Sequence, residues 1–117
     1  MDPVSWPIVV AEDLDIRIYR SSASIGIERV DLSQMDAWDS DGNRLELMPT
    51  LEKRRLLGLF PIDQDAVQVR LVHPVRSEGP ALVARLSAAL RADGASVPDG
   101  MSVSDALALS VARFGAT

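Results

Sequence analysis

The stretch Met35-Asp36-Ala37-Trp38-Asp39-Ser40-Asp41-Gly42-Asn43-Arg44-Leu45-Glu46-Leu47 constrains this chain more than any other. Asp41-Gly42 lies between two alternating segments, the strongest short-range signal for a β-hairpin. With Asp41 and Gly42 as the two loop residues, Asp39 faces Arg44, Trp38 faces Leu45 and Met35 faces Met48. That gives one opposite-charge pair and two apolar pairs, each worth about 0.2–1 kcal/mol. Trp38, Leu45 and Leu47 then share a face, together with Asp36.

The segments around this hairpin read as further strands. Pro7–Ala11 is a β-branched run closed by Glu12-Asp13. Leu14–Arg20 alternates, with Leu14, Ile16 and Ile18 on one face and Asp15, Arg17 and Tyr19 on the other. These two strands are expected to pair through Glu12-Asp13. Ser21–Glu28 begins with candidate helix caps but contains Gly26, and one or two helical turns are expected there. Ala66–His73 alternates as a strand, with Val67, Val69 and Leu71 aligned. Residues 51–59 fit either a helix capped by Thr50 or a strand ending at Gly58. The strand is preferred, because a turn through Pro61–Asp65 then closes a second hairpin.

Helices follow. From Ser77 or Gly79, with Pro80 near the first turn, Leu82, Val83, Leu86 and Leu90 form a stripe at helical spacing that ends at Gly94. After a Pro98-Asp99-Gly100 turn, Ser102 and Asp105 have capping-box-like spacing. Val103, Leu107, Val111 and Phe114 form a second stripe, stopped at Gly115. Strands first and helices last predict one α+β domain over residues 1–117. Its antiparallel sheet has about five to six strands, with two C-terminal helices packed on one face.

Composition excludes several classes of function. There is no cysteine, which removes disulfides, thiol catalysis and thiolate zinc sites. No apolar run approaches the length of a membrane span, and residues 1–6 lack the basic and apolar regions of a signal peptide. A cytoplasmic location and no membrane association are the expectation. The net charge is −5, with ten acids against four arginines in residues 1–49 and seven acids against eight bases thereafter. Such a chain repels nucleic-acid phosphate, and its acidic half suits a basic protein partner.

No catalytic constellation emerges. Gly42 aligned with the invariant glycine of a calcium loop puts Ala37 and Met48 where oxygen ligands are required, so no metal is expected. His73 is the only histidine, and it lacks the neighbours of a general base or a metal ligand. Asp36, Asp39 and Asp41 cluster in a hairpin, not in the apolar pocket that raises an acid's pKa. The glycines are scattered singly, so no cofactor or nucleotide loop is present. Lys53-Arg54-Arg55 is too short for a nucleic-acid patch. Trp38 is either core or an exposed anchor ringed by carboxylates, the composition of an interaction hot spot.

Leu14–Ser21, continuing through Glu28–Asp31 to Asp36–Leu47, resembles a group of small bacterial proteins of unknown function. The shared pattern is a strand ending in Tyr-Arg-Ser, a short helix, an acidic step and an aromatic-Asp-x-x-Gly hairpin, over about residues 8–73. Some members look like immunity proteins of bacterial toxin systems. The resemblance implies a small non-enzymatic inhibitor of a basic toxin and carries over no site residues. From the residues themselves, the candidate partner-binding set is Asp36, Trp38, Asp39, Asp41 and Arg44. The alternatives are a small enzyme or ligand-binding domain with a cleft near His73, and a homodimer joined through a strand edge.

Overall fold

The computed structural model describes residues 4–22, 25, 35–56 and 60–117. Strands β1 (Ile8–Glu12) and β2 (Asp15–Tyr19) form an antiparallel hairpin, with Glu12 opposite Asp15. The two loop residues are therefore Asp13 and Leu14, not Glu12 and Asp13. Asp13 takes a positive φ of 51°, which aspartate tolerates better than most residues. Leu14 thus leaves the inward face expected of it and stands 57% exposed, while Ile16 and Ile18 are buried as their alternation predicts.

β1 also pairs antiparallel with β3 (Asp36–Trp38), and β3 with β4 (Arg44–Leu56), which pairs with β5 (Phe60–Leu71). The sheet order is β2-β1-β3-β4-β5. Helices α1 (Gly79–Ala92) and α2 (Val103–Phe114) complete an α+β fold with five antiparallel strands. Residues 51–56 are strand, the preferred reading. The turn does not run through Pro61–Asp65, because those residues lie within β5. Most of the Ser21–Glu28 helix expectation falls outside the described residues.

β1 occupies the middle of two cores. Val9, Ala11, Ile16, Ile18 and Trp38 pack against Leu82, Leu86 and Ala89 of α1 and Ala106 of α2. On the opposite face Ile8, Val10, Ala37, Leu45 and Leu71 form a second cluster, flanked by Trp6, Tyr19, Ile25 and Met35. Both faces of β1 are consequently buried, which explains a continuous apolar run where a half-solvated strand would alternate.

The helix ends follow their sequence signals. Gly94, at φ 83°, closes α1 with its N–H donating to the Arg91 carbonyl and the Ala95 N–H donating to that of Leu90. That is a Schellman ending. The Ser102 hydroxyl accepts from the Asp105 N–H at 3.0 Å and caps α2. The second stripe is rotated from its expected position. Ala106 and Ser110 are the buried residues of α2, Val103, Leu107 and Val111 flank them half-buried, and Phe114 is exposed.

The molecule is long for its size, with extents of 55 × 32 × 21 Å. Its radius of gyration is 15.6 Å, against about 13 Å for a compact chain of this length. The cause is topological. β3 reaches only Arg44 and Leu45 of β4, so the β4–β5 pairing from Glu46↔Arg70 to Leu56↔Phe60 continues beyond it. At about 3.3 Å per residue this arm extends roughly 33 Å.

Candidate functional site

The β3–β4 hairpin is present, and its register differs by one from the expected one. Trp38 stands opposite Arg44 and Ala37 opposite Leu45. The Asp39 N–H donates to the Asn43 carbonyl and the Gly42 N–H to the Asp39 carbonyl, both at 3.0 Å. The loop is therefore the three residues Ser40, Asp41 and Gly42, with Gly42 at φ 82° and both preceding residues at negative φ. A two-residue Asp-Gly loop needs positive φ at both positions; a three-residue loop with a glycine bulge needs it only at the glycine. The one-residue slip moves Leu45 and Leu47 to the face opposite Trp38. Trp38 joins the helix-side core, and Leu45 and Leu47 join Ala37 on the other side.

Asp39 holds this loop. Its carboxylate is fully buried and accepts the N–H groups of Asp41 at 3.0 Å, Asn43 at 2.9 Å and Ser5 at 3.3 Å. Ser5 also donates its hydroxyl to Asp41 at 2.5 Å, and Ser40 donates to the Pro7 carbonyl at 2.6 Å. The loop then meets the start of α1, where the Glu78 N–H donates to the Gly42 carbonyl at 2.8 Å. A Cβ on Gly42 would lie 2.8 Å from the Gly79 Cα, so glycine is required here by space as well as by φ.

The other three candidate residues meet at a polar cluster beneath α1. Arg44 and Arg85 each donate to a separate oxygen of Asp36, both at 2.6 Å. Their guanidinium carbons lie 5.2 and 5.8 Å from the Trp38 ring centroid, within cation–π range. The indole N–H donates to Glu78 at 3.1 Å, and Glu78 also pairs with Arg76 at 3.4 Å. Partial burial pushes the Asp36 carboxyl up, and the two guanidinium groups outweigh it, holding it below the ordinary carboxylate range.

Asp36, Trp38 and Arg44 are thus brought together, while Asp39 and Asp41 lie in the adjoining loop. Trp38 is 2% exposed and Asp39 0%, so neither offers a surface. Arg85, Glu78 and Arg76 complete the cluster from 30 or more residues away along the chain, without any local pattern to announce them. Arg85 extends it further, donating to the Asp13 carbonyl at 3.3 Å. The cluster thereby braces the β1–β2 turn, where exposed Leu14 sits among exposed Glu12, Asp13 and Asp15. Trp38 takes the core alternative of its two sequence readings, and the apolar tip ringed by carboxylates occurs on the neighbouring hairpin.

His73 is exposed at the exit of β5, before the cis peptide to Pro74. A cavity of about 290 Å³ lies between α1 and α2, lined by Leu90, Ala95, Ser96, Leu109, Ala112 and Arg113, and His73 takes no part in it. Among the described residues no group of three His, Cys, Asp or Glu is arranged to hold a metal ion, and no helix is long and apolar enough to cross a membrane. Comparison with known protein families, curated proteins and solved structures finds no match to this chain.

Proposed function

We propose that the protein is a non-enzymatic binding protein that engages a basic protein partner through its β1–β2 turn. The observation that carries this reading is Leu14, 57% exposed on a two-residue turn with exposed carboxylates on either side. An exposed leucine alone is ordinary surface. Here it is bounded by Glu12, Asp13 and Asp15, and the turn is tied down by Arg85, itself held by Asp36. A turn ordered before contact loses little entropy on binding. Charge supports the partner's sign, because residues 1–45 carry nine acids against four arginines, whereas the rest of the chain is neutral.

An immunity-type inhibitor of a toxin, acting in the cytoplasm, is the form of this reading that the sequence resemblance points to. The test is affinity for the protein encoded beside it, measured for wild type, Leu14→Ser and the Glu12→Lys/Asp15→Lys pair. The expected result is a loss of about tenfold or more for each, with the charge variant losing its sensitivity to salt. Equal affinities across all three would remove the turn from the interaction.

A further inference from the structure

The two ends of the sheet are finished differently. At the β2 end the last residues run alongside the strand, the Arg20 N–H donating to the Thr117 carbonyl and the Thr117 N–H to that of Ile18, both at 2.8 Å. At the other end no described strand pairs with the outer edge of β5. A two-stranded ribbon is marginally stable in water by itself, and an open strand edge is a template for another strand.

The ladder shows which edge is usable. The Arg44 carbonyl accepts from the Val72 N–H, and the register runs from Leu45↔Leu71 to Leu56↔Phe60 without a bulge. Even-numbered residues of both strands therefore direct their backbone groups at each other, and odd-numbered ones direct theirs outward. Each strand has one proline at an outward position, where its missing N–H costs the ladder nothing. Pro49 interrupts the outer edge of β4 close to its start. Pro61 lies at the tip end of β5 and leaves Asp63, Asp65, Val67, Val69 and Leu71 as an unbroken row of outward donors and acceptors.

We propose that β5 pairs antiparallel with β5 of a second copy of this chain, about a twofold axis at Val67. This joins two five-stranded sheets into one of ten strands. In that register Asp63 meets Leu71 and Asp65 meets Val69, so every proline-free outward group is used and Pro61 lies outside the ladder. Charge selects the antiparallel sense. The arm is neutral overall, with four acids and four bases between Glu46 and Arg70, while its tip from Lys53 to Asp63 holds three bases against one acid. Antiparallel pairing lays each positive tip toward the other copy's body, which carries the whole net charge of −5. A second copy also satisfies the closed symmetry of an isologous contact, in which the same row of groups serves both sides.

The test is mass by light scattering across a wide concentration range for wild type, Asp65→Pro and Leu51→Pro. Both substitutions remove an outward N–H and leave the β4–β5 ladder intact. A wild-type dimer is expected, with its dissociation constant raised about tenfold or more by Asp65→Pro and changed less than about twofold by Leu51→Pro. Amide exchange on the wild-type protein supplies a readout independent of any variant's folding: protection at residues 63, 65, 67, 69 and 71 rises with concentration. A wild-type monomer at every concentration overturns the proposal. So does a dimer that Leu51→Pro weakens as much as Asp65→Pro, or protection that concentration leaves unchanged.

Discussion

At Leu45, strand β4 passes out of a five-stranded sheet and into a two-stranded ribbon, and what holds it changes with the passage. Up to that point the β3–β4 hairpin is fastened by residues distant in sequence. Ser5 reaches Asp39, Glu78 reaches Gly42 and Trp38, and Arg85 reaches Asp36. Beyond it, pairing is with β5 alone among the described strands, through contacts within one hairpin such as the Glu46–Arg70 ion pair at 2.6 Å. Half-exposed pairs of that kind contribute little. The body is thus over-determined by long-range contacts, and the arm rests on its ladder. An open strand edge of this kind is free to be completed by another chain.

This contrast predicts a graded series. Gly42→Ala should be the most damaging, because a positive φ and a 2.8 Å approach to Gly79 cannot both be accommodated. The expected loss is about 3 kcal/mol, read from urea unfolding. Asp39→Ala leaves three backbone N–H groups without their acceptor in a half-buried loop and should cost about 2 kcal/mol by the same measurement. Either variant proving neutral would break the claim that the loop locks the body.

Asp36→Asn tests the electrostatic part. Because the folded carboxyl titrates below its ordinary value, its contribution is present above the ordinary carboxylate range and is lost as pH falls through the folded pKa. The melting temperature of wild type should exceed that of Asp36→Asn at neutral pH, and the gap should close as pH falls through and below the ordinary carboxylate range. A gap independent of pH would mean that the cluster works by packing alone. The smallest effect is expected in the arm. Replacing residues 51–65 by an Asn-Gly turn, which keeps Thr50 opposite Ala66, should alter the stability of the monomeric body by less than about 1 kcal/mol. A larger loss would mean that body and arm are one cooperative unit.

Much of this fold is legible in the residues. The alternation of Asp15–Tyr19, the caps at Ser102 and Gly94 and the stripe through Leu82, Leu86 and Leu90 act over one or two turns of chain. Each such signal emerges where its residues predict it. The existence of the β3–β4 hairpin belongs with them, since Gly42 supplies a conformation that few residues tolerate. Its register does not. Asp41-Gly42 is compatible with a two-residue or a three-residue loop, and the choice is made by a buried carboxylate that also accepts from Ser5 and by a glycine pressed against the start of α1. The candidate site inherits that difference. Asp36 and Trp38 share a face as their alternation predicts, but Arg44 joins them, instead of facing Asp39, only because the register slips by one. Trp38 takes the core position, one of the two the sequence offers it, and the exposed apolar tip is Leu14.

Most strands, helices and caps are therefore written locally in the residues, because they depend on forces within a few positions. Long-range packing sets the loop length, the faces taken by Trp38, Leu45 and Leu47 and the partners of Asp36, because those choices are nearly equal locally. Burial and hydrogen bonds from elements 30 or more residues away separate them. The length of the arm belongs to the same class. β4 and β5 can zip along their whole extent by local pairing, and only the brevity of β3 determines where the sheet ends and the ribbon begins.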